Sequence, residues 1–438
     1  MGKKFVMIML LIGVIFLTAC GFKALEGNIQ AEDSSVKSVA ESRTDSEAEN
    51  EAGESGSGEL TGELTILVWV PFDNWQYTIK AFTEEHPGVT VTVEMAMADE
   101  LLTEEYMEKY TARIMTGEGF DIVESGLVNM ERCAGQGVFA NLYELMDADS
   151  EFHREDYFSC IFEPVETDGI LPAFIYNVNP VYVHLNKRLL KMAGLEYTKD
   201  TISFRELYEL YEKVRKAAGE RIFLTDGLYG YEGMSAYEDK YFVQNNLMDS
   251  MEYEEYLKMR HKLYYVSEIR SDISYGTMKI ANDTLCCQTD LRLPGSNANE
   301  FFEGTEDMTG VILYESMHGE RYFEAGGNCV SISNFSPNKK LAWEFLKFAF
   351  SDREDAFTFS AMYSPNKQKL EKACEGLKPE YKEKLFQDIE AINTVQYADM
   401  NLHYNLESIY EDYFVNNTIT AEECCEKLAG RLYLYKNE

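Results

Sequence analysis

The stretch Leu64–Met95, LTILVWVPFDNWQYTIKAFTEEHPGVTVTVEM, decides the fold. Its first seven residues form an apolar, β-branched-rich run of the length of one strand, the pattern of a strand buried on both faces. Asn74–His86 then reads as a helix with Ile79 and Phe82 on its apolar face, and Pro87-Gly88 stops it. Val89, Val91, Val93 and Met95 alternate with polar residues, as in a second strand. Strand, helix and strand at this spacing form a βαβ unit, which predicts two parallel strands joined by a right-handed crossover.

The same alternation continues outward. A helix over Thr103–Thr116 is closed by Gly117 and Gly119, and Asp121–Val123 follows as a short third strand. The Asp168-Gly169 turn leads into a strand over Ile170–Tyr176, and Val181–Leu185 is another. Asn186–Met192 is a helix stopped at Gly194. Thr201 or Ser203 caps a helix over Phe204–Ala218, whose stripe of Phe204, Leu207, Tyr211 and Val214 belongs to a core. Residues 225–305 mix helix and loop signals; Thr309–Tyr314 and Cys329–Ser333 are strands, and nearly everything from Pro337 onward reads as helix. In open α/β sheets, ligands sit beyond the carboxyl ends of the strands. That places Asp73 and Trp75 at one lip of a cleft and Glu124 and Ser125 at the neighbouring one.

At the N-terminus, Lys3 and Lys4 precede an uncharged apolar run, Phe5–Leu17, which is short for a membrane span and right for a signal peptide. The run ends in Leu17-Thr18-Ala19-Cys20, which resembles a bacterial lipobox: residues 1–19 are removed and the thiol of Cys20 carries lipid. Residues 20–62 are rich in Glu, Ser, Ala and Gly and lack the apolar surface to offset their ordering entropy. They read as a disordered acidic tether with a reach of roughly 35 Å, holding the folded part near the extracytoplasmic face of the cell membrane.

The net charge of −36 excludes a nucleic-acid partner, because no basic cluster is present to neutralise phosphates. Eight cysteines lie beyond Cys20, with no C-x-x-C pair and only scattered His, so neither a metal site nor a cofactor is expected. They read as buried free thiols with at most one bridge. The tetrapeptide SPNK occurs twice, at Ser336–Lys339 and Ser364–Lys367. A Ser three residues before a Lys is the spacing of an acylating nucleophile, but S-D-N, K-T-G and G-x-S-x-G are all missing. Ser336 instead stands where an N-cap belongs, with Pro337 at the first helical position, so no catalytic residue is expected.

Several segments together resemble the extracellular solute-binding proteins of bacterial ABC importers, including the carbohydrate-binding type. FTEEHPGVTVTVE is similar to the family's F-x-x-x-x-P-G-V-x-V stretch, and YTARIMTGEGFDIV to its helix, Gly, Asp-Ile-Val segment. AGQGVFANLYELM, TDGILPAF, VYVHLNKRLLKMAGLEY and TISFRELYELYEKV follow in the family's order, and GGNCVSISNFSPNKKLAWEFLKFAFS resembles its strand, cap and helix element. The sequence departs from the pattern at His184-Leu185 and at Phe204, and residues 366–438 give little to align.

The resemblance implies a two-lobed periplasmic-binding-protein-like (type II) α/β fold with a hinge and an interlobe cleft. Lobe 1 is expected over 63–172 plus 306–335 and lobe 2 over 173–305 plus 336–438. It further implies a monomer that takes a small-molecule solute, a carbohydrate first among the candidates, and passes it to an ABC importer permease. Asp73, Trp75, Glu124, Ser125, Asn179, Tyr182, Gly327 and Asn328 are the expected lining, with Asp73 and Glu124 accepting sugar hydroxyls and Trp75 as a stacking platform. The bland alternatives are Trp75 in the core and Asp73 as a helix cap. A surface-anchored carbohydrate-active hydrolase, and a sensor or adhesin lipoprotein on the same fold, are the competing functions.

Overall fold

The computed structural model describes residues 59–68, 73–95, 104–124, 128, 130–219, 222–225, 241–242, 245, 247–266, 280, 282–288, 298–315, 319–324, 329–353, 364–396 and 400–437. The predicted signal peptide and Cys20 lie outside them, as does nearly all of the tether.

The opening βαβ unit is present. Strands β1 (Thr61–Val68) and β2 (Gly88–Met95) pair in parallel, from Thr61 opposite Gly88 to Val68 opposite Met95. Helix α1 (Asp73–Glu85) connects them and buries Trp75, Thr78 and Phe82, one face at helical spacing. Leu64, Ile66, Leu67 and Val68 are all buried, which is why β1 reads as a continuous rather than an alternating apolar run. Helix α2 (Glu104–Thr116) ends at Gly117, whose φ is +70°. A Cβ at Gly117 would lie 2.4 Å from the Phe335 side chain, so both backbone and packing require glycine. Strand β3 (Ile122–Glu124) then pairs in parallel with the other edge of β1.

After α3 (Met130–Gly135), α4 (Leu142–Ala148) and β4 (Phe174–Ile175), the chain leaves this sheet. A second sheet follows: β5 (Tyr182–Leu185), α5 (Lys187–Met192), β6 (Thr201–Ser203), α6 (Phe204–Ala218), β7 (Phe223–Thr225), α7 (Met251–Val266), β8 (Thr284–Gln288), α8 (Ala298–Glu303) and β9 (Ile312–Glu315). The chain returns through β10 (Tyr322–Glu324) to β11 (Cys329–Ile332) and α9 (Lys339–Ala349). It finishes with α10 (Lys367–Ala373), α11 (Pro379–Glu390), β12 (Thr394–Gln396), α12 (Met400–Tyr410) and α13 (Ala421–Asn437). The sheet orders are β2-β1-β3-β11-β4 and β6-β9-β5-β8-β7, and β10 pairs with β12. Both large sheets lie within one compact unit, Thr61–Glu438.

Local signals behaved as expected where their partners were local. Ser203 forms a capping box with Glu206, Asn186 caps α5 by accepting from the N–H groups of Arg188 and Leu189, and Gly194 has φ +67° just past that helix. Two assignments that depend on distant partners differ. Strand β9, expected with the first lobe, runs parallel to β6 and antiparallel to β5, and Ile312, Leu313 and Tyr314 are buried there. Helix α9, expected in the second lobe, packs on the first sheet, with Phe345 meeting Trp75 and Phe82 at ring distances of 6.0 and 5.1 Å. Its connection from β11 is short, so the helix folds back onto its own sheet.

The two SPNK copies do begin helices, but not through their serines. The N-caps are Asn338 and Asn366, and the Oδ1 of Asn366 accepts from Gln368 and Lys369 N–H groups at 3.0 Å. Ser336 and Ser364 shape the preceding turns, their hydroxyls accepting from the Asn338 and Asn366 N–H groups at 2.9 and 3.2 Å. Ser336 also donates to Asp121 Oδ1 at 2.5 Å, while Asp121 Oδ2 accepts from Thr65 N–H at 2.8 Å and its carbonyl from Ser333 N–H at 2.9 Å. One buried carboxylate thereby joins β1, the start of β3 and the turn after β11.

The eight cysteines from Cys133 to Cys425 are all buried and unbridged. Burial pushes the Cys374 thiol up to about 11, which leaves it protonated and inert at neutral pH. Among the described residues no helix is long and apolar enough to cross a membrane.

Two stability predictions follow from buried polar groups. Asp121→Ala leaves the Thr65 N–H and the Ser336 hydroxyl without their acceptor, so urea unfolding should show a loss of about 3 kcal/mol, against about 1 kcal/mol for Ser336→Ala. His184 in β5 donates from Nδ1 to the Thr309 carbonyl at 2.8 Å, its Nε2 is buried without a partner, and burial lowers its pKa to about 4. The unfolded chain, with an ordinary histidine near 6.5, binds the proton more readily between pH 6.5 and 4, so stability falls as pH drops through that window. From pH 7 to pH 5 the cost should be about 2 kcal/mol. His184→Asn retains a donor without a titrating ring, so its stability loss on acidification should be smaller than the wild type's by that amount.

Candidate functional site

The carboxyl end of the first sheet is organised around Glu124, the last residue of β3, which is fully buried. Its Oε1 accepts from the Tyr176 hydroxyl at 2.5 Å and faces the Trp75 indole N–H at 3.5 Å. Three segments therefore converge on one carboxylate: the first turn of α1, the end of β3 and the chain just past β4. Burial, followed by the nearby Glu124 charge, drives the Tyr176 pKa well above 10, so its hydroxyl keeps the proton that it donates. The rings around it are closely packed. Trp75 stacks on Phe345 at 6.0 Å and presents its edge to Tyr176 at 6.3 Å, while Tyr176 lies flat on Phe350 at 5.4 Å.

The structure thus brings Trp75 and Glu124 together, as the strand topology demanded, but inside the protein. Trp75 is only 1% exposed, so in this conformation its indole belongs to the aromatic core and offers no open platform. Tyr182 is equally buried at the start of β5; its hydroxyl donates to Asp388 Oδ2 at 2.8 Å and its ring meets Phe301 at 5.6 Å. Asp73 is the first residue of α1. Its side chain lies outside the described residues, as do Ser125, Gly327 and Asn328.

Asn179 sits in the segment that carries the chain from β4 to β5. Its Oδ1 is buried without a hydrogen-bond partner, and so is that of Asn177 two residues earlier. Buried amide oxygens are seldom left unpaired, and two in one connecting segment mark it as poised for another arrangement or another partner. Tyr176 and Asn177 were not singled out from sequence; the available signal was the polar Tyr-Asn-Val-Asn-Pro run, Tyr176–Pro180, between two apolar strands.

Residues 70–269 match the family model of the bacterial extracellular solute-binding protein. No curated protein sequence matches the chain. Among solved structures, the ABC substrate-binding protein Lmo0181 from Listeria monocytogenes, in complex with cycloalternan, is similar at 16% identity and TM-score 0.56, covering 86% of this chain and 99% of that one. Maltose-bound MalE3 from T. maritima is similar at 16% identity and TM-score 0.55, over 85% and 99%. A de novo designed cysteine esterase is similar at 15% identity and TM-score 0.58, over 87% and 100%, so likeness of fold at this level does not carry an activity with it. Over residues 70–269, from α1 through α7, the chain thus matches the model of that family, and its two-sheet α/β fold is shared with solved substrate-binding proteins.

Proposed function

We propose that this protein captures a sugar or oligosaccharide between two lobes and delivers it to the permease of an ABC importer. The observation that carries the proposal is the interleaved chain path. The first sheet is built from two separated pieces, β1–β4 and β11, with all five strands of the second sheet inserted between them, so the chain passes between the sheets at Tyr176–Val181 and again between β9 and β11. Such connections permit a hinge rotation of one lobe against the other. The lobes follow the sheets, with β9 in the second and α9 in the first. The carbohydrate class is supported by the maltose and cycloalternan held by two structural neighbours.

A solute that bridges the lobes drives closure only by its preference for the closed form. Moving an open to closed ratio from 1:99 to 99:1 takes about 5.5 kcal/mol, a cost that several hydrogen bonds to a polyol can meet. In this scheme Asp73, Ser125, Asn179, Gly327 and Asn328 supply polar contacts, and the unpaired Asn179 oxygen accepts a hydroxyl. Trp75, Glu124 and Tyr182 form the wall behind them. The protein works as a monomer on the extracytoplasmic face, held to the membrane by lipid on Cys20 through the tether of residues 20–62.

Isothermal titration with neutral oligosaccharides should show binding of one solute per chain and no product by chromatography afterwards. Absence of heat with every sugar would remove the carbohydrate assignment, and product release would favour the hydrolase. Cys20→Ser should move the protein from the membrane fraction to the soluble one; retention in the membrane would rule out the proposed anchor.

A further inference from the structure

The C-terminal helices contain an element that touches both sheets. The start of α11 is fixed to the second. Lys378 N–H donates to Asn299 Oδ1 at 2.9 Å, and Tyr381 lies flat on Phe302 at 5.3 Å. Further along, Asp388 accepts the hydroxyl of Tyr182 in β5. The end of α11 meets a different body. Phe386 packs edgewise on Phe158 at 5.4 Å, and Glu390 accepts from the Ser159 hydroxyl at 3.1 Å and pairs with Lys367 at 3.0 Å. Phe158 and Ser159 belong to the first sheet's side, since the adjacent Tyr157 packs on Phe174 of β4 at 5.5 Å and donates to the Phe350 carbonyl at 3.2 Å. Helix α10 is held on that side too, because Phe158 N–H donates to the Pro365 carbonyl at 3.1 Å.

The two attachments differ in strength. The one to the second sheet includes a buried carboxylate and a face-to-face ring pair, whereas the other rests on the edgewise Phe386–Phe158 contact and on polar groups, Glu390 and Lys367, that are 39% and 34% exposed and compete with water. A rotation between the sheets cannot preserve both, and the exposed one yields first. We propose that α11 is a strap that rides with the second sheet and docks reversibly on Phe158-Ser159, so that Phe386 and the Ser159–Glu390–Lys367 cluster set the balance between open and closed arrangements. The strap rests on the hinge of the proposed function but not on the identity of the solute.

The test uses the full chain with Cys20→Ser. Spin labels go on Tyr77→Cys in α1 and Met192→Cys in α5, which are 70% and 58% exposed, while the eight native thiols are buried. Pulsed dipolar spectroscopy then reads the distance between the two sheets. Glu390→Gln and Phe386→Ala should change the ratio of distance populations about threefold to tenfold. Lys367→Glu should do the same, and the charge swap Lys367→Glu with Glu390→Lys should restore the wild-type ratio. Glu390→Gln alters an exposed side chain, so it reports even if Phe386→Ala fails to fold. Distances unchanged in Glu390→Gln and Lys367→Glu would overturn the strap. If those distances nevertheless shift on adding an oligosaccharide, the strap falls and the hinge stands; if they respond to neither, both fall.

Discussion

Asp121 accepts hydrogen bonds through both carboxylate oxygens, one from the backbone of β1 and one from Ser336, and its carbonyl receives Ser333 N–H. Those partners come from parts of the chain more than two hundred residues apart. A charge-assisted bond to a buried acceptor is stronger than a neutral one, and leaving any member unpaired is costly. The first sheet therefore closes only when the chain has visited the second sheet and come back. This constraint makes the first sheet a composite of early and late segments, with the five consecutive strands of the second inserted between them.

The same economy of polar groups organises the region around that connection. Glu124 is buried because Tyr176 and Trp75 both direct donors at it, and those two residues lie at the roots of the α1 turn and of the chain leaving β4. The carboxylate braces the first-sheet end of the connecting segment, whereas Asn177 and Asn179, a few residues later, have unpaired amide oxygens. A rigid root followed by a polar, under-satisfied segment is a physical basis for bending at that place. Tyr182 begins the next rigid part, held to α11 through Asp388.

The approach of Trp75 to Glu124 was legible in the sequence as position but not as exposure. Strand ends in an α/β sheet predict that residues near Trp75 and Glu124 converge, and they do. Whether an indole faces solvent or core depends on what packs across from it. Here that is Phe345 on α9, some 270 residues away. Nothing within the local stretch PFDNWQY encodes that partner. The role of the serines in SPNK was hidden for a similar reason: Ser336 is drawn to Asp121, and the neighbouring Asn takes the cap position.

What the sequence determined by itself was whatever is written within one turn of helix or one pair of strands. The βαβ unit, the Ser203 capping box, the Asn186 cap, the glycine beyond α5 and the α/β class all depend on periodicity and on hydrogen bonds between near neighbours. Only the tertiary structure decided that β9 joins the second sheet, that α9 covers the first, and that α11 reaches both. Apolar strands and amphipathic helices of similar length are interchangeable in sequence. The choice among them comes from long-range pairing and burial, whose energies appear only when distant segments meet.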